Sequence, residues 1–414
     1  MIISTKNIDE VVILDPGLRE FGGHHPGIIE GLQSSPVIRD NKLSISVYAS
    51  KDCSAKVLNR FSNSNIKITP NFETDFYLNF YSQAKLSTFN VYVHYLAKEY
   101  LQVFHLYKER IVTFFYHTLN WEHAYALSLA INLMQKQYDV DHKHLVCLMF
   151  NPSSSLVQEK GLPDRYFKFN TGFKALSKIP KVELFSAEQE LTENYRVMLG
   201  NIINLHPCGL ITQQHRQDIA VYKKEHCSIL LYLGDAKENK GFLKLPGLVK
   251  KLAETIFTID VKFIIQYTIT NSKTDLAEVD RILKQWSVKD NRIEIQDCFL
   301  TDQEMHSLWL RTTHTVFNYN EIVYGQQSSG VLWQAAAYKT TIYLMTNSWL
   351  NREAERLGCT YSYVETVEQL QVELQHSIAN FPQKQEYSVH KKNEYRDNLF
   401  SDLALWLHKQ VKFK

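Results

Sequence analysis

Short, almost fully apolar runs alternate along this chain with longer stretches in which apolar residues return every three or four positions. The first pattern is that of strands buried on both faces, the second that of amphipathic helices. Their alternation predicts an α/β architecture with parallel sheets. Val11 to Leu14 is the first predicted strand; it empties into DPGLREFGGHHPG, and a helix follows near Ile28. Further strands are predicted at Leu43 to Ser50, Ile66 to Pro70, the run RIVTFFYH ending at His117, His144 to Phe150, and Val182 to Phe185. Helices are predicted over Thr88 to Leu106 and Trp121 to Gln137. Ser186 and Gln189 read as a capping box for a helix containing Leu191, Tyr195 and Met198.

The polar, irregular stretch NLHPCGLITQQHRQD interrupts the series, and a domain boundary is placed there, giving domains 1–206 and 207–392. A second series follows, with predicted strands at Ile229 to Leu233, Val261 to Tyr267, Ile293 to Ile295, Thr315 to Phe317 and Thr341 to Met345. Between them lie predicted helices at Pro246 to Ile256, Asp275 to Trp286, Asp302 to Leu310 and onward from Ser329. In the tail, Leu399, Phe400, Leu403, Trp406 and Leu407 recur at helical spacing. A helix over about 393–410 is expected to pack back on the first domain. No internal repeat or low-complexity tract is present.

Length agrees with two domains, because 414 residues exceed what one hydrophobic core usually holds. Lys and Arg number 46 against 44 Asp and Glu, a net charge of only +2, which argues against a nucleic-acid partner. The six cysteines are scattered, with no C-x-x-C pair, so free thiols in a reducing cytosol are expected rather than disulfides or a zinc site. The opening residues lack a basic stretch followed by a long apolar run, so no signal peptide is expected. No apolar run is long enough to span a bilayer, which leaves room only for peripheral contact with a membrane face.

Candidate chemistry concentrates in two places. The run SILLYLG ends in a loop containing Lys237, Lys240 and Gly241, and about ninety residues later YGQQSSGVLWQAAAYKTTIYL sets small residues at a predicted helix start. Backbone N–H groups at a helix N-terminus attract an anion, and a lysine from a neighbouring strand end can neutralise it. The pairing points to a nucleotide-diphosphate donor held by Lys237, Lys240, Gln327, Ser328, Ser329 and Gly330, against the plainer readings of solvated loop lysines and ordinary serine capping. Near the first strand, Gly22 and Gly23 permit close backbone approach to a ligand, with His24 and His25 beside them as residues that could line the site. Adjacent histidines point apart, so a two-histidine metal site is not expected. His117 ends an apolar strand, where ligands of open α/β sheets gather. It reads either as a satisfied structural histidine or as a group that contacts a sugar or accepts a hydroxyl proton. Asn120 follows it as a lesser candidate, with Glu122.

Three segments of the second half resemble the retaining glycosyltransferases of family 4: ILLYLGDAKENKG, IEIQDCFLTDQEMHSLWLRTTHTVFN and YGQQSSGVLWQAAAYKTTIYL. In the first half GGHHPGIIEGL and VELFSAEQELTENYRVMLG are similar to segments of the same family. The resemblance implies the GT-B fold, two Rossmann-like domains with parallel sheets facing across a cleft. It implies that Lys240 faces the donor's pyrophosphate and stabilises the charge on the departing nucleotide. It further implies that Phe299 and Leu300 meet the base, that Gln326 lies near the donor sugar, that Gln334 meets the ribose, and that His117 occupies a recurrent histidine position. Two departures stand out. Gln326 and Gln334 replace a glutamate pair, and Asp235 stands where an arginine is usual.

The expected function is therefore transfer of a sugar from a nucleotide sugar to a glycan, lipid-linked or protein acceptor, with retention by resemblance, and with no cofactor and no metal. Lys240 and His117 are the expected catalytic residues, and His24, His25 and Asn120 the expected acceptor-binding ones. A cytoplasmic setting is expected, in polysaccharide biosynthesis or a related pathway, with the oligomeric state left open. Two rivals remain: a nucleotide-sugar epimerase or hydrolase on the same fold, and a non-catalytic nucleotide-sugar-binding subunit.

Overall fold

The chain is described here from a computed structural model that covers residues 9–20, 23–62, 64–74, 76, 86–138, 140–152, 165–257, 260–270, 274–380 and 393–412. It divides into two compact units. Residues 1–153, 157–213 and 398–414 make up the first, and 214–397 the body of the second.

The first unit is built on a seven-stranded sheet. Its strands are β1 (Asp9–Asp15), β2 (Leu43–Ser50), β3 (Ile66–Phe72), β4 (Thr113–Tyr116), β5 (Lys143–Leu148), β6 (Val182–Ser186) and β7 (Asn204–Leu205). They lie in the order β3-β2-β1-β4-β5-β6-β7, and every pairing is parallel. The two-residue period of a strand sorts its side chains into two cores. Val12, Leu14, Phe114, Tyr116, Val146 and Leu148 enter one, and Val11, Ile13, Phe115, Leu145, Cys147 and Phe185 the other. Helices cover both faces, as parallel crossovers require.

The tail is not one helix but two, Glu394–Leu399 and Leu403–Lys412. Asp402 explains the break: its carboxylate accepts from the Leu405 N–H at 3.0 Å and from the Ser35 hydroxyl at 2.9 Å, starting a new helix on the first unit. Leu403, Ala404, Leu407 and Val411 then join the core on that face. The predicted capping box also differs. Ser186 closes a local turn with the backbone of Glu188, and the helix that follows, Gln189–Leu199, starts from Glu188 without a side-chain cap.

The second unit has a six-stranded parallel sheet. Its strands are β8 (Cys227–Tyr232), β9 (Val261–Gln266), β10 (Ile293–Gln296), β11 (His314–Phe317), β12 (Thr341–Leu344) and β13 (Tyr361–Tyr363), in the order β10-β9-β8-β11-β12-β13. Both sheets reverse their winding once, between β1 and β4 in the first unit and between β8 and β11 in the second. In doubly wound sheets a crevice opens at the carboxyl ends of the strands where the order reverses. Among the described residues, no helix is long and apolar enough to cross a membrane.

Two helices of the first unit, Arg165–Ser177 and Trp121–Gln137, approach so closely that Gly172 faces the backbone carbonyl of Trp121, and a Cβ at 172 would collide with it. Gly172→Ala should lower the urea midpoint of this unit by the equivalent of about 1–3 kcal/mol, the usual cost of overpacking. At the start of the second of these helices, Glu122 is enclosed and accepts one hydrogen bond, from the Asn120 amide at 3.2 Å. Burial pushes its carboxyl up to about 7, against a weaker pull from Lys168. A carboxyl raised by folding favours the folded state below its unfolded value near 4.5, and that contribution is lost as pH rises through about 7. Glu122→Gln should therefore be more stable than the wild type at pH 8, by an amount of the order of 3 kcal/mol. The difference should vanish below about pH 4, as melting temperatures across that range would show.

Candidate functional site

In the first unit the register of the sheet assembles the site. Val11 pairs with Thr113 and Ile13 with Phe115. Two residues further on, at the carboxyl ends of the same strands, Asp15 and His117 stand side by side at the point of reversed winding. Asp15 is 1% exposed and accepts at Oδ2 from His117 Nε2 at 2.8 Å and at Oδ1 from His25 Nδ1 at 2.7 Å. The Gly17 N–H donates to Oδ1 as well, at 3.1 Å. Burial opposes ionisation of Asp15, but the charges and hydrogen bonds of His25 and His117 outweigh it and hold the carboxyl well below the ordinary range. An ionised carboxylate only accepts, so the histidine nitrogens are the donors. His117 Nε2 therefore carries the hydrogen that faces the carboxylate. Its Nδ1 is buried and has no partner among the described residues.

Local sequence explains how His25 reaches this carboxylate. Gly23 takes φ 79° at the start of the helix His24–Gln33, a conformation that favours glycine, and turns His25 inward. Gly17 leaves room for the ring, since a Cβ there would occupy the place of the imidazole. His24 packs against His25 with ring centroids 4.1 Å apart and the rings tilted by 33°. Burial, followed by repulsion from His25 and then His117, holds His24 well below the usual imidazole range. Gly22 lies outside the described residues. Asn120 is fully enclosed. Its carbonyl oxygen caps the helix Trp121–Gln137 by accepting from the His123 N–H at 2.8 Å, while its amide donates to the Phe76 carbonyl and to Glu122. It supports the loop, with its polar atoms already committed.

In the second unit the loop after β8 is shaped by two left-handed glycines, Gly234 (φ 106°) and Gly241 (φ 80°). Gly241 packs on the backbone of Asn318, just past β11, where any Cβ would collide with the carbonyl. A backbone bond from Asn320 N–H to the Asn239 carbonyl, 2.8 Å, ties the two strand-end loops together. Lys240 folds back over Gly234, and together with Leu233, Tyr319 and Val331 it lines a small cavity at the reversal point of this sheet. Burial, then repulsion from Lys237, lowers its ammonium to about 8. Lys237 is tied to Asp235 at 3.1 Å, and the Thr268 hydroxyl holds the other oxygen of that carboxylate.

Val331 brings the helix Gly330–Ala337 to the same cavity. Ser329 is its N-cap and accepts from the Leu332 N–H. The first N–H groups of any helix have no acceptor within it. Gln327 adds a buried side-chain oxygen with no partner among the described residues. Ser328 is half-buried and Gln326 exposed in the preceding loop, and Gln334 is half-buried one turn into the helix. Gln266, at the end of β9, accepts from the Gly234 N–H and donates to the Cys298 carbonyl, which sets the loop after β10 beside the loop after β8. On that loop the Phe299 ring is 59% exposed, with half-buried Leu300 next to it.

Asp15, Gly17 and Gln266 are absent from the sequence-predicted set. Asp15 had a visible signal, an acidic residue closing the apolar run VVIL before a Pro-Gly turn. Gln266 had none, because its partners lie 32 residues away in both directions.

No family model matches the chain, and no curated protein matches it. Solved structures do. A glycosyltransferase from Rickettsia africae is similar over 99% of this chain and 100% of its own, with TM-score 0.60 and 14% identity. Anabaena HepE in complex with UDP-glucose covers 97% of this chain and 98% of its own, at TM-score 0.56 and 9% identity. UDP-GlcNAc 2-epimerase from Neisseria meningitidis bound to UDP-GlcNAc covers 97% and 99%, at TM-score 0.57 and 12% identity. With two parallel sheets of seven and six strands, the fold is GT-B.

Proposed function

We propose that the chain is a glycosyltransferase that moves a sugar from a nucleotide-diphosphate donor to a hydroxyl of a glycan, a lipid-linked sugar or a protein. One observation carries this reading. A half-buried lysine, Lys240, and a helix start share one cavity at the winding reversal of the second sheet. A lysine whose ammonium is lowered by burial is stabilised by an anion, and helix-start N–H groups supply further donors to the same anion. A diphosphate fits both demands. Phe299 offers an exposed ring for the base, and Gln334 an amide for ribose hydroxyls. Similar structures carry UDP-glucose or UDP-GlcNAc, which supports UDP as the nucleotide to try first.

In this proposal the reacting diphosphate oxygen leaves with negative charge, and Lys240 and the amides of Ser329 and Gly330 stabilise that charge more as it grows. No divalent metal is needed for that step. Gln326 bears no carboxylate, so a covalent sugar–enzyme intermediate cannot form there, and retention, which the family resemblance implies, would proceed without one. His117, whose Nδ1 has no partner among the described residues, is the first-unit group proposed to contact a substrate hydroxyl. A cytoplasmic setting and a role in building polysaccharide belong to the same proposal.

A thermal-shift screen of UDP, GDP, ADP and their sugar conjugates is the direct test. A nucleotide present at a hundredfold over its Kd stabilises the native state by about 2.7 kcal/mol, and the midpoint should rise. Absence of any shift, or isomerisation of the sugar in place of transfer, would overturn the reading. Lys240→Ala should weaken UDP binding by about 10–100-fold, the worth of a charge-assisted hydrogen bond, with the fold intact by circular dichroism. Asp235→Asn should act in the opposite direction. Freeing Lys237 from its ion pair should tighten UDP binding by up to about fivefold, as calorimetry would show. Transfer should persist in EDTA; loss that magnesium or manganese restores would overturn the metal-free step.

A further inference from the structure

We infer that Glu353 is a positioning residue for the candidate donor site: it holds the helix Gly330–Ala337 through Trp333, and Tyr395 of the tail latches the same carboxylate. This rests on the proposed nucleotide-diphosphate reading and adds the device that keeps the anion-binding helix start in place. Every residue involved belongs to the second unit.

The device is built on the helix Trp349–Arg356, which follows β12. Ser348 and Asn351 form a capping box that fixes where this helix starts. Glu353 is fully enclosed. Its Oε1 accepts from the Trp333 Nε1–H at 2.9 Å and from the Tyr395 hydroxyl at 2.7 Å, and its Oε2 accepts from Arg356 Nη1 at 2.6 Å. Three donors, one of them a guanidinium, meet the demand of a carboxylate that would otherwise be costly to bury.

Trp333 lies in the first turn of the donor-site helix, where its backbone N–H donates back to the Ser329 carbonyl at 3.3 Å. Its side chain is a rigid lever with only two rotatable bonds. Fixing the indole N–H on Glu353 therefore fixes the rotation of the helix, and with it the direction of the amides at its start. Trp349 meets the same indole edge-on, with ring centroids 6.2 Å apart. The neighbour of Glu353, Arg352, donates from Nη2 to the Gly325 carbonyl at 2.9 Å. Two adjacent residues of one helix thus hold both the beginning of the loop 325–329 and the helix that follows it.

The latch has its own seat. Asn393 serves two helices at once. Its amide donates to the Arg356 carbonyl at 2.9 Å, at a helix end where carbonyls lack partners within the helix. Its Oδ1 accepts from the Arg396 N–H at 2.9 Å, at the start of Glu394–Leu399. Gly358, at φ 66°, leaves room for this contact, since a Cβ there would lie 3.3 Å from the Asn393 amide. Tyr395, two residues on, then reaches Glu353.

A site made of helix-start amides binds an anion well when those amides already point at it, because ordering them during binding costs affinity. The helix Gly330–Ala337 has only 8 residues, too few to hold its own geometry. Its neighbours must hold it. Gln334, the amide proposed for ribose hydroxyls, follows Trp333 directly and depends on the same anchor.

Two variants of the full chain test this. Tyr395→Phe removes one donor and keeps the ring. Glu353→Gln keeps the size and turns an acceptor oxygen into a donor. By hydrogen exchange with mass spectrometry, Tyr395→Phe should speed exchange of the amides in 326–334 by about 3–10-fold and raise the calorimetric Kd for UDP by a similar factor. Glu353→Gln should raise both by about 10–100-fold. Binding stoichiometry, and exchange in β9 and β10, should stay at their wild-type values. Unchanged exchange and UDP affinity in both variants would overturn the inference. So would faster exchange spread evenly over the second unit, or a fall in stoichiometry at constant Kd, because either marks general loss of structure. Should Glu353→Gln fail to fold, Tyr395→Phe decides alone. Should UDP and the other nucleotides fail to bind the wild type, the donor reading falls, and the exchange comparison alone decides whether Glu353 and Tyr395 hold this helix.

Discussion

A buried carboxylate tolerates ionisation only where the protein supplies hydrogen bonds to it. Asp15 is such a group, and its needs organise the carboxyl-end surface of the first sheet. Each of its donors depends on a separate structural decision: the pairing of β1 with β4 for His117, the left-handed turn at Gly23 for His25, and a glycine at 17 for the room that ring requires. Removing either histidine leaves the buried negative charge with one donor fewer. The same contact thus links a strand register, a helix start and a loop composition. It explains why polar residues sit at the floor of an otherwise apolar core.

The second unit meets the opposite demand. Its central group is a cation, and the surrounding residues leave it undersatisfied. Lys240 is lowered to about 8 by burial and by a second lysine, while Asp235, the carboxylate that acts on it among the described residues, is engaged by Lys237 and Thr268. Where the first unit completes its charge internally, the second leaves positive potential at a strand end, next to a helix start of the same sign. An enclosed anion and an unfinished cation are different kinds of site.

Much of the fold was legible because local pattern and tertiary context agree. Leu43 to Ser50 and Trp121 to Gln137 appear in the structure with the bounds their periodicity predicts. The tail was misread as one helix because its apolar spacing continues across Ser401 and Asp402, whereas the cap that breaks it involves Ser35, far away in sequence. The capping box at Ser186 failed for a related reason: its hydroxyl bonded to Glu188 first. At the candidate site, His25 and His117 could be named from strand and loop positions. The carboxylate joining them could not, since the contacts span 10 and 102 residues and only strand order creates the second. Asn120 shows the converse. Its place after a strand suggested a ligand contact, and the structure commits its amide to a helix cap.

The Asp235–Lys237 pair bears on how catalysis would divide between binding and chemistry. An arginine at position 235 would grip the diphosphate in ground and transition state alike, lowering KM without speeding the reaction. An aspartate there pairs with the neighbouring lysine, and in the proposed reaction it leaves Lys240 as the cation that meets the leaving oxygen. A site with fewer constant contacts holds its donor less tightly, but the contact that remains strengthens as the leaving oxygen becomes an anion. Replacing the usual glutamate pair with Gln326 and Gln334 removes two negative charges from the same neighbourhood. The loss of a positive residue at 235 is thereby offset in the potential the diphosphate meets. In the proposed donor site, these departures from the pattern of the family that the chain resembles offset one another in charge.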